Sequence, residues 1–341
     1  MIEYLPWSKK LLQDISNDFS QGHFSILDLE LGGECNCNCI YCDSPDRKEK
    51  ILYSVEMVEE FIENGRFKWL FVCGLGEPTF NENYNTLLKL LKLCEKKKMK
   101  CSIFTNATNI TKELKHYIYN GVLYVLFKYD SFIDGVNKKI IGDNCIGSYN
   151  DIFSEMVKMV KVKEGCSNIA ASIVPTTYNE DILVELTQRC IENNIYPLIG
   201  SLENAGKAQK NYEALAITKE KLSFLKSQIE WYIGEEYKLP ICPSTIGAIH
   251  ITNKGDIVLD SRSGLSCSWF WLETPCMITL GNISEHNAYD KACERILEYR
   301  ESVKNNIEKI TNICVDKVFG GCGGNIAELL SIASSQYDGN L

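Results

Sequence analysis

Cys35, Cys39 and Cys42 form a C-x3-C-x2-C array within the run Gly32-Gly33-Glu34-Cys35-Asn36-Cys37-Asn38-Cys39-Ile40-Tyr41-Cys42-Asp43. No fourth cysteine follows nearby. Thiolate is the ligand that a cubane iron–sulfur cluster prefers. Three cysteines on one tight loop can therefore hold three irons of a 4Fe–4S cluster and leave the fourth open to chelate a substrate or cofactor. Tyr41, just before the last cysteine, offers an aromatic face beside such a cluster. The other reading is zinc, whose closed structural sites take four nitrogen or sulfur ligands. Cys37 is the residue on the loop that can complete them; in the cluster reading it points elsewhere.

A second run, Gly74-Leu75-Gly76-Glu77-Pro78, follows an apolar stretch. Glycines let a backbone approach a ligand closely, and Glu77 can pair with an ammonium group. An ordinary strand–turn is the plain alternative. The chain has 16 cysteines, and with no export signal these read as metal thiols rather than disulfides. Cys94, Cys101, Cys145, Cys166 and Cys190 stand singly in apolar or amphipathic stretches and read as core, where free cysteine is common.

These residues need a frame, and the hydrophobic pattern supplies one. Apolar runs at 25–31, 69–73, 101–105, 122–127, 169–174 and 195–199 read as strands. Amphipathic segments at 54–64, 84–98, 111–119, 149–162 and 179–193 read as helices, with Ser54 as the cap of the first. Strands alternating with helices imply a parallel sheet with right-handed crossovers. Six such units make an α/β fold, an open or partial (β/α)6 barrel whose site gathers at the carboxyl ends of the strands. Both motifs fall just after strands. Beyond about residue 205 the pattern changes to one more helix at 218–232 and a hairpin-like pair, 246–251 and 257–259, around Asn253-Lys254-Gly255-Asp256. An irregular Cys/Trp-rich stretch, a helix from about 287 to 305 and a Cys/Gly-rich tail complete the chain.

Bulk properties narrow the function classes. The chain has 341 residues, a net charge of -9, 45% hydrophobic and 24% charged residues, all globular values. The acidic balance argues against a nucleic-acid or anionic-membrane surface. The N-terminal MIEYLPWSKKLLQD lacks the apolar segment of a signal peptide. No run approaches the roughly 18 apolar residues of a membrane span, so a cytoplasmic location is expected.

The cysteine loop resembles the radical S-adenosylmethionine (SAM) superfamily, whose signature is C-x3-C-x2-C with an aromatic before the last cysteine. Further family motifs recur in order over about residues 25–205. Gly74, Gly76 and Glu77 resemble the Gly-Gly-Glu-Pro segment, with Leu75 inserted, which receives the methionyl amine of SAM. The resemblance implies that Thr105 and Asn106 lie near SAM, and that Lys128 meets its carboxylate. It further implies Asp130 or Ser131 at the ribose, Ser172 on the fifth strand lining the pocket, and Leu198 packed on adenine. Asn179 follows the fifth strand, and Glu203-Asn204-Ala205-Gly206-Lys207-Ala208 looks like a segment of the peptide-modifying branch. The implied reaction is reductive cleavage of SAM to methionine and a 5′-deoxyadenosyl radical, which takes a hydrogen atom from the substrate. An electron donor such as flavodoxin or ferredoxin is implied with it.

The order Cys242, hairpin, Gly255-Asp256, Cys267, Cys276, Leu280-Gly281-Asn282-Ile283, helix, Cys314, Cys322 resembles the SPASM or shorter twitch domains, which carry auxiliary iron–sulfur clusters. Asp260 stands where the SPASM pattern has a cysteine. Five cysteines fill one four-ligand cluster with one left over; the resemblance then implies Cys242, Cys267, Cys314 and Cys322 as ligands of one auxiliary cluster, expected to be 4Fe–4S. Cys276 is an alternative ligand or a thiol hydrogen donor, and Cys293 is packing. A structural zinc site is the plain alternative for this region. Trp269, Phe270 and Trp271 read as core aromatics, or as a substrate wall.

The expected organisation is an N-terminal extension (1–24), a radical SAM partial barrel (25–210), a linking helix (211–239) and a small α+β Cys-rich SPASM/twitch-like domain with its tail (240–341). The expected function is a radical SAM enzyme acting on a peptide. Against that, only 34 residues precede Cys35, too few for a separate leader-peptide-binding domain. A small-molecule dehydrogenase or rearranging enzyme with a twitch-type cluster therefore stands beside it, and a non-catalytic metal-binding protein stands further off.

Overall fold

The computed structural model describes residues 1–21, 23–42, 48–72, 74–142, 148–202, 204, 206–237, 248–258 and 279–295. In chain order the elements begin with β1 (Glu3–Tyr4), α1 (Lys9–Ser20), β2 (Ile26–Leu29), α2 (Val55–Asn64), β3 (Trp69–Val72), α3 (Asn81–Lys97) and β4 (Lys100–Thr105). Next come α4 (Lys112–Tyr119), β5 (Leu123–Lys128), α5 (Asp134–Ile141), α6 (Tyr149–Met159), β6 (Val162–Lys163), β7 (Cys166–Ser167) and β8 (Ile169–Ile173). The remainder is α7 (Leu183–Glu192), β9 (Tyr196–Ile199), α8 (Tyr212–Leu215), α9 (Lys219–Ile233), β10 (Ala248–Ile251), β11 (Asp256–Val258) and β12 (Thr279–Asn282).

The six expected strands β2, β3, β4, β5, β8 and β9 lie side by side in chain order, each parallel to the next. This is the α/β fold of a partial barrel. Helix starts follow their local chemistry: Ser54 and Thr111 accept hydrogen bonds from the Met57 and Leu114 N–H groups, as capping residues do. One hydrophobic cluster joins the helix-facing strand residues Leu27, Leu70, Ile103, Val125 and Ala171 to helix residues such as Phe61, Leu87, Leu114, Met156 and Leu186.

The opposite, inner face has its own cluster at the amino ends of the strands. There Ile26, Trp69, Tyr124, Ala170, Tyr196 and Ala248 pack against Tyr4, Trp7, Leu11, Leu12 and Ile15 of the N-terminal segment. Tyr4 also hydrogen-bonds Ser102 across 3.0 Å, and the Trp7 and Phe104 rings lie 5.8 Å apart. Fully burying one such side chain stabilises the fold by about 1.5–3 kcal/mol. The N-terminal segment thereby closes the amino end of the inner face and leaves the carboxyl end to the site.

Three features depart from the sequence reading. A helix, α5, occupies 134–141, which the hydrophobic pattern did not resolve. β1 pairs in parallel with β7, which pairs with β6, in a small separate sheet. The hairpin β10–β11 continues the main sheet, because β10 pairs in parallel with β2, His250 opposite Asp28. β12 adds antiparallel to β11, and residues 288–295 are helical. Among the described residues no helix is long and apolar enough to cross a membrane.

Candidate active site

The cysteine loop leaves β2 and is fastened on four sides. Gly33 N–H donates to Glu49 O at 2.7 Å. The Asn38 and Ile40 N–H groups donate to Ile141 O (2.7 Å) and Ile140 O (2.8 Å), so the loop takes up carbonyls at the end of α5 that no further helical turn would satisfy. Lys207 N–H donates to Cys42 O at 2.9 Å, and its ammonium group hydrogen-bonds Asn38 Oδ1. On the remaining side, Asn106 Nδ2 donates to Asn36 Oδ1 at 2.7 Å and to Cys37 Sγ at 3.2 Å.

Cys35, Cys39 and Cys42 carry reduced, half-buried thiols. They stand close enough that Cys42 and Cys35 act electrostatically on Cys39. Burial pushes the Cys39 thiol up to about 12, with the Lys128 ammonium opposing that rise. Cys37 is buried, and its sulfur accepts from Asn106 Nδ2, unlike the three half-buried thiols. Among the described residues no group of three acidic, histidine or cysteine side chains is already gathered as for a single metal ion. By their chemistry, three free thiols spaced along one loop beside a glycine turn are the donor set of a cluster held by three cysteines.

The Gly74–Pro78 turn meets this loop backbone to backbone. Gly74 and Gly76 have φ of +100° and +61°, the left-handed region that glycine tolerates. A Cβ on Gly76 would stand 2.2 Å from Gly32 O and 2.5 Å from Glu34 O, so no other residue fits there without moving backbone. Glu77 N–H donates to Glu34 O at 2.8 Å. The Glu77 side chain is buried and accepts four hydrogen bonds: from Thr79 N (3.0 Å), Thr79 Oγ1 (2.7 Å), Thr105 Oγ1 (2.5 Å) and Asn106 N (2.7 Å). Burial raises its pKa, against the lowering effect of those donors. Glu77, Thr105 and Asn106 are thus one knot tying the turn to the end of β4.

Lys128, Asp130 and Tyr41 form a second knot. The Lys128 ammonium lies 3.2 Å from Asp130 Oδ2 and 4.4 Å from the centre of the Tyr41 ring. Tyr41 OH donates to the same carboxylate, and Val174 N–H donates to Asp130 Oδ1 at 2.8 Å. Burial pulls the Lys128 pKa down, but Asp130 and Cys39 outweigh it and leave it raised. Ser131 is buried and its hydroxyl accepts from Ile133 N–H at 2.9 Å, shaping the turn into α5. Asn179, also buried, donates to Asp130 O (2.9 Å) and Val174 O (3.0 Å).

Lys128, Ser172 and Leu198 sit in register across β5, β8 and β9 on the inner face. Each is only partly buried on an otherwise buried strand, as is Phe104 on the same face of β4. They form an accessible row at the carboxyl ends. The sequence reading missed Phe104, the buried amides Asn83 and Asn137, and the buried Asp28–His250 pair, whose Oδ2 and Nδ1 lie 3.1 Å apart. Strand parity could have found Phe104; a buried amide in a helix or turn leaves no sequence pattern. Asp43, Cys145, Asp260, the Trp269–Trp271 stretch and Cys242, Cys267, Cys276, Cys314 and Cys322 lie outside the described residues, as do Glu203 and Ala205. Cys94, Cys101, Cys166 and Cys190 are buried, as expected. Cys293 is half-buried and packs on the main core.

The model of the radical SAM superfamily matches residues 29–169. Among solved structures, Streptococcus suis SuiB bound to precursor peptide SuiA aligns with a TM-score of 0.57 at 14% identity, over 83% of this chain and 69% of that one. SuiB bound to S-adenosylmethionine gives 0.56 at 16% identity, over 82% and 69%. Native anSMEcpe with bound AdoMet and Kp18Cys peptide gives 0.57 at 14% identity, over 80% and 82%. At these identities the likeness is one of fold. No curated protein sequence matches the chain. The span that matches the radical SAM superfamily model opens at the end of β2, takes in the cysteine loop, the glycine turn and the Lys128–Asp130 knot, and closes at β8.

Proposed function

We propose that this chain is a radical SAM enzyme that cleaves S-adenosylmethionine reductively and removes a hydrogen atom from a peptide. The observation that carries the reading is the interlock of the three-thiol loop with the Gly74–Pro78 turn, joined through Glu77 N–H and Glu34 O. Cys35, Cys39 and Cys42 would hold the 4Fe–4S cluster. When bound, that cluster and SAM supply one-electron bond cleavage and a hydrogen-abstracting carbon radical.

The chain's own residues bind, orient and exclude water. Gly74 and Gly76 hold the backbone close enough to receive an amine. Glu77, committed to four donors, fixes that backbone and supplies negative charge beneath it. Lys128 offers its ammonium to a carboxylate, and Asp130 steadies both Lys128 and Tyr41. Ser131 sets the turn behind them. Phe104, Ser172 and Leu198 give an apolar wall with one hydroxyl, suited to a nucleoside. Cys242, Cys267, Cys314 and Cys322, with Cys276 as alternate, would hold one auxiliary cluster.

A peptide substrate is favoured because SuiB and anSMEcpe, which share this fold, are solved with bound peptides. The test is substrate-dependent stimulation of SAM cleavage by reduced, reconstituted protein. Stimulation by short peptides, with a mass change in the peptide, supports the reading. Stimulation by sugars or cyclitols alone replaces the peptide with a small molecule.

A further inference from the structure

Both halves of the proposed site are joined through a residue that belongs to neither motif. Asn83, in the first turn of α3, is buried. Its Oδ1 accepts from Gly32 N–H at 2.9 Å, while its Nδ2 donates to Gly32 O at 2.9 Å. The side-chain amide thus pairs with Gly32 as a neighbouring strand's peptide group would. The same Nδ2 lies 3.2 Å from Glu77 O and 3.4 Å from Glu34 O. One carboxamide therefore spans the residue before Cys35 and the carboxylate residue of the glycine turn.

A carboxamide has two N–H donors and one oxygen acceptor. Here the oxygen takes the backbone N–H, and the two N–H groups are shared among three carbonyls. No other side chain of this length offers both functions in that plane: aspartate keeps the acceptor but faces three carbonyls with negative charge, and leucine keeps the volume but offers neither. Gly32 fits closely against the amide, since a Cβ there would lie 3.0 Å from Asn83 Oδ1 and 3.1 Å from Glu49 O. α3 is anchored independently by Leu87, Leu90 and Leu91, all fully buried, so Asn83 is not what holds the helix on the sheet.

We propose that Asn83 is a positioning residue that fixes the separation between the cysteine loop and the amine-receiving turn, and so sets how SAM meets the cluster. This rests on the radical SAM reading of the site. Cluster assembly needs only the cysteines, so loss of Asn83 should leave iron in place and spoil the fit of SAM. Such supporting interactions are commonly worth about 10–100-fold in affinity or activity.

The test uses full-length, anaerobically reconstituted protein as wild type, Asn83→Leu, Asn83→Asp and Leu87→Ala. The last is a packing control in the same helix, outside the site. Iron per chain, thermal midpoint, equilibrium binding of SAM and the EPR spectrum of the reduced cluster with and without SAM are measured on each. The expected result is iron at the wild-type level in both Asn83 variants, SAM binding weakened about 10–100-fold, and an altered or absent SAM-induced EPR change. Leu87→Ala should lose thermal stability and keep both SAM readouts. If Asn83→Leu does not fold, Asn83→Asp, which retains the bond to Gly32 N–H, carries the test. SAM binding and EPR change equal to wild type in the folded Asn83 variants overturn the proposal, as do equal losses in Leu87→Ala. A wild type that takes up no iron, or whose cluster spectrum ignores SAM, overturns the underlying reading, and the proposal with it.

Discussion

Gly76→Ala puts the interlock of loop and turn to a quantitative test. Gly76 adopts φ +61°, where an L-residue costs roughly 1–2 kcal/mol. The added Cβ would also stand 2.2 Å from Gly32 O, 2.5 Å from Glu34 O and 2.8 Å from Gly33 C, all backbone atoms that cannot rotate aside. Forcing one methyl into a filled site adds about 1–3 kcal/mol. The expected loss is then about 2–5 kcal/mol, read as a shift of the urea midpoint at unchanged slope. Gly121→Ala separates the two effects, since Gly121 has φ +71° and nothing within 4 Å of its Cβ position. It should lose only about 1–2 kcal/mol. If Gly76→Ala is as mild as Gly121→Ala, the turn does not press on the cysteine loop as described, and the interlock argument fails.

Other expectations follow from separate parts of the molecule. Tyr237 covers the open edge of the sheet at β9, its hydroxyl donating to Pro197 O (2.6 Å) and accepting from Ile199 N–H (3.1 Å). Tyr237→Phe should cost about 1–3 kcal/mol by leaving those buried groups unsatisfied; a neutral result in urea unfolding would mean that water or backbone replaces the hydroxyl. Asp130→Ala should cost about 3–5 kcal/mol, because it strands the Lys128 ammonium, and adding Lys128→Met should recover part of the loss in a double-mutant cycle. Glu155, held at about 2 by hydrogen bonds from Lys115 (2.8 Å) and Lys158 (2.5 Å), has a folded pKa below its unfolded value. Its contribution is therefore present above about pH 4.3 and is lost as pH falls through about 2. Glu155→Gln should flatten the stability profile across that window, and 0.5 M-scale salt should weaken the effect because the pair is exposed. Gly135→Ala in the first turn of α5, where a Cβ meets nothing within 4 Å, should stabilise the protein by about 0.4–1 kcal/mol in thermal or urea unfolding, by restricting the unfolded chain.

Much of this architecture was legible because its signal is periodic. The six parallel strands and five of their helices fall within a few residues of the apolar runs that announce them, and Ser54 caps α2 as its position suggested. α5 escaped because Asp134-Gly135-Val136-Asn137 mixes a poor helix former with polar residues, and its apolar pair Ile140-Ile141 is short. Yet the carbonyls of that pair hold the cysteine loop. The hairpin at β10–β11 was read as a pair of strands, but its parallel pairing with β2, over 200 residues earlier in the chain, is a long-range fact that local pattern does not carry. In the site, the motif residues and the strand-end Asn106 and Asn179 were named from the sequence, whereas Asn83 was not. Asn83 and Asn179 act through carboxamides aimed at backbone, and any backbone position can be their target. Strand-end polar residues drew attention as ligand contacts; Thr105, Asn106, Asp130 and Ser131 also hydrogen-bond their neighbours within the site.

The central claim is that Cys35, Cys39 and Cys42 hold a cluster that cleaves SAM. Its most direct test is iron per chain and dithionite-dependent formation of 5′-deoxyadenosine, for reconstituted wild type and for the Cys35→Ala/Cys39→Ala/Cys42→Ala variant. The account predicts 5′-deoxyadenosine from wild type and none from the variant, with iron lower in the variant by about four atoms, one cubane cluster. Iron equal in the two proteins, or a wild type with stoichiometric zinc and intact SAM, would contradict it.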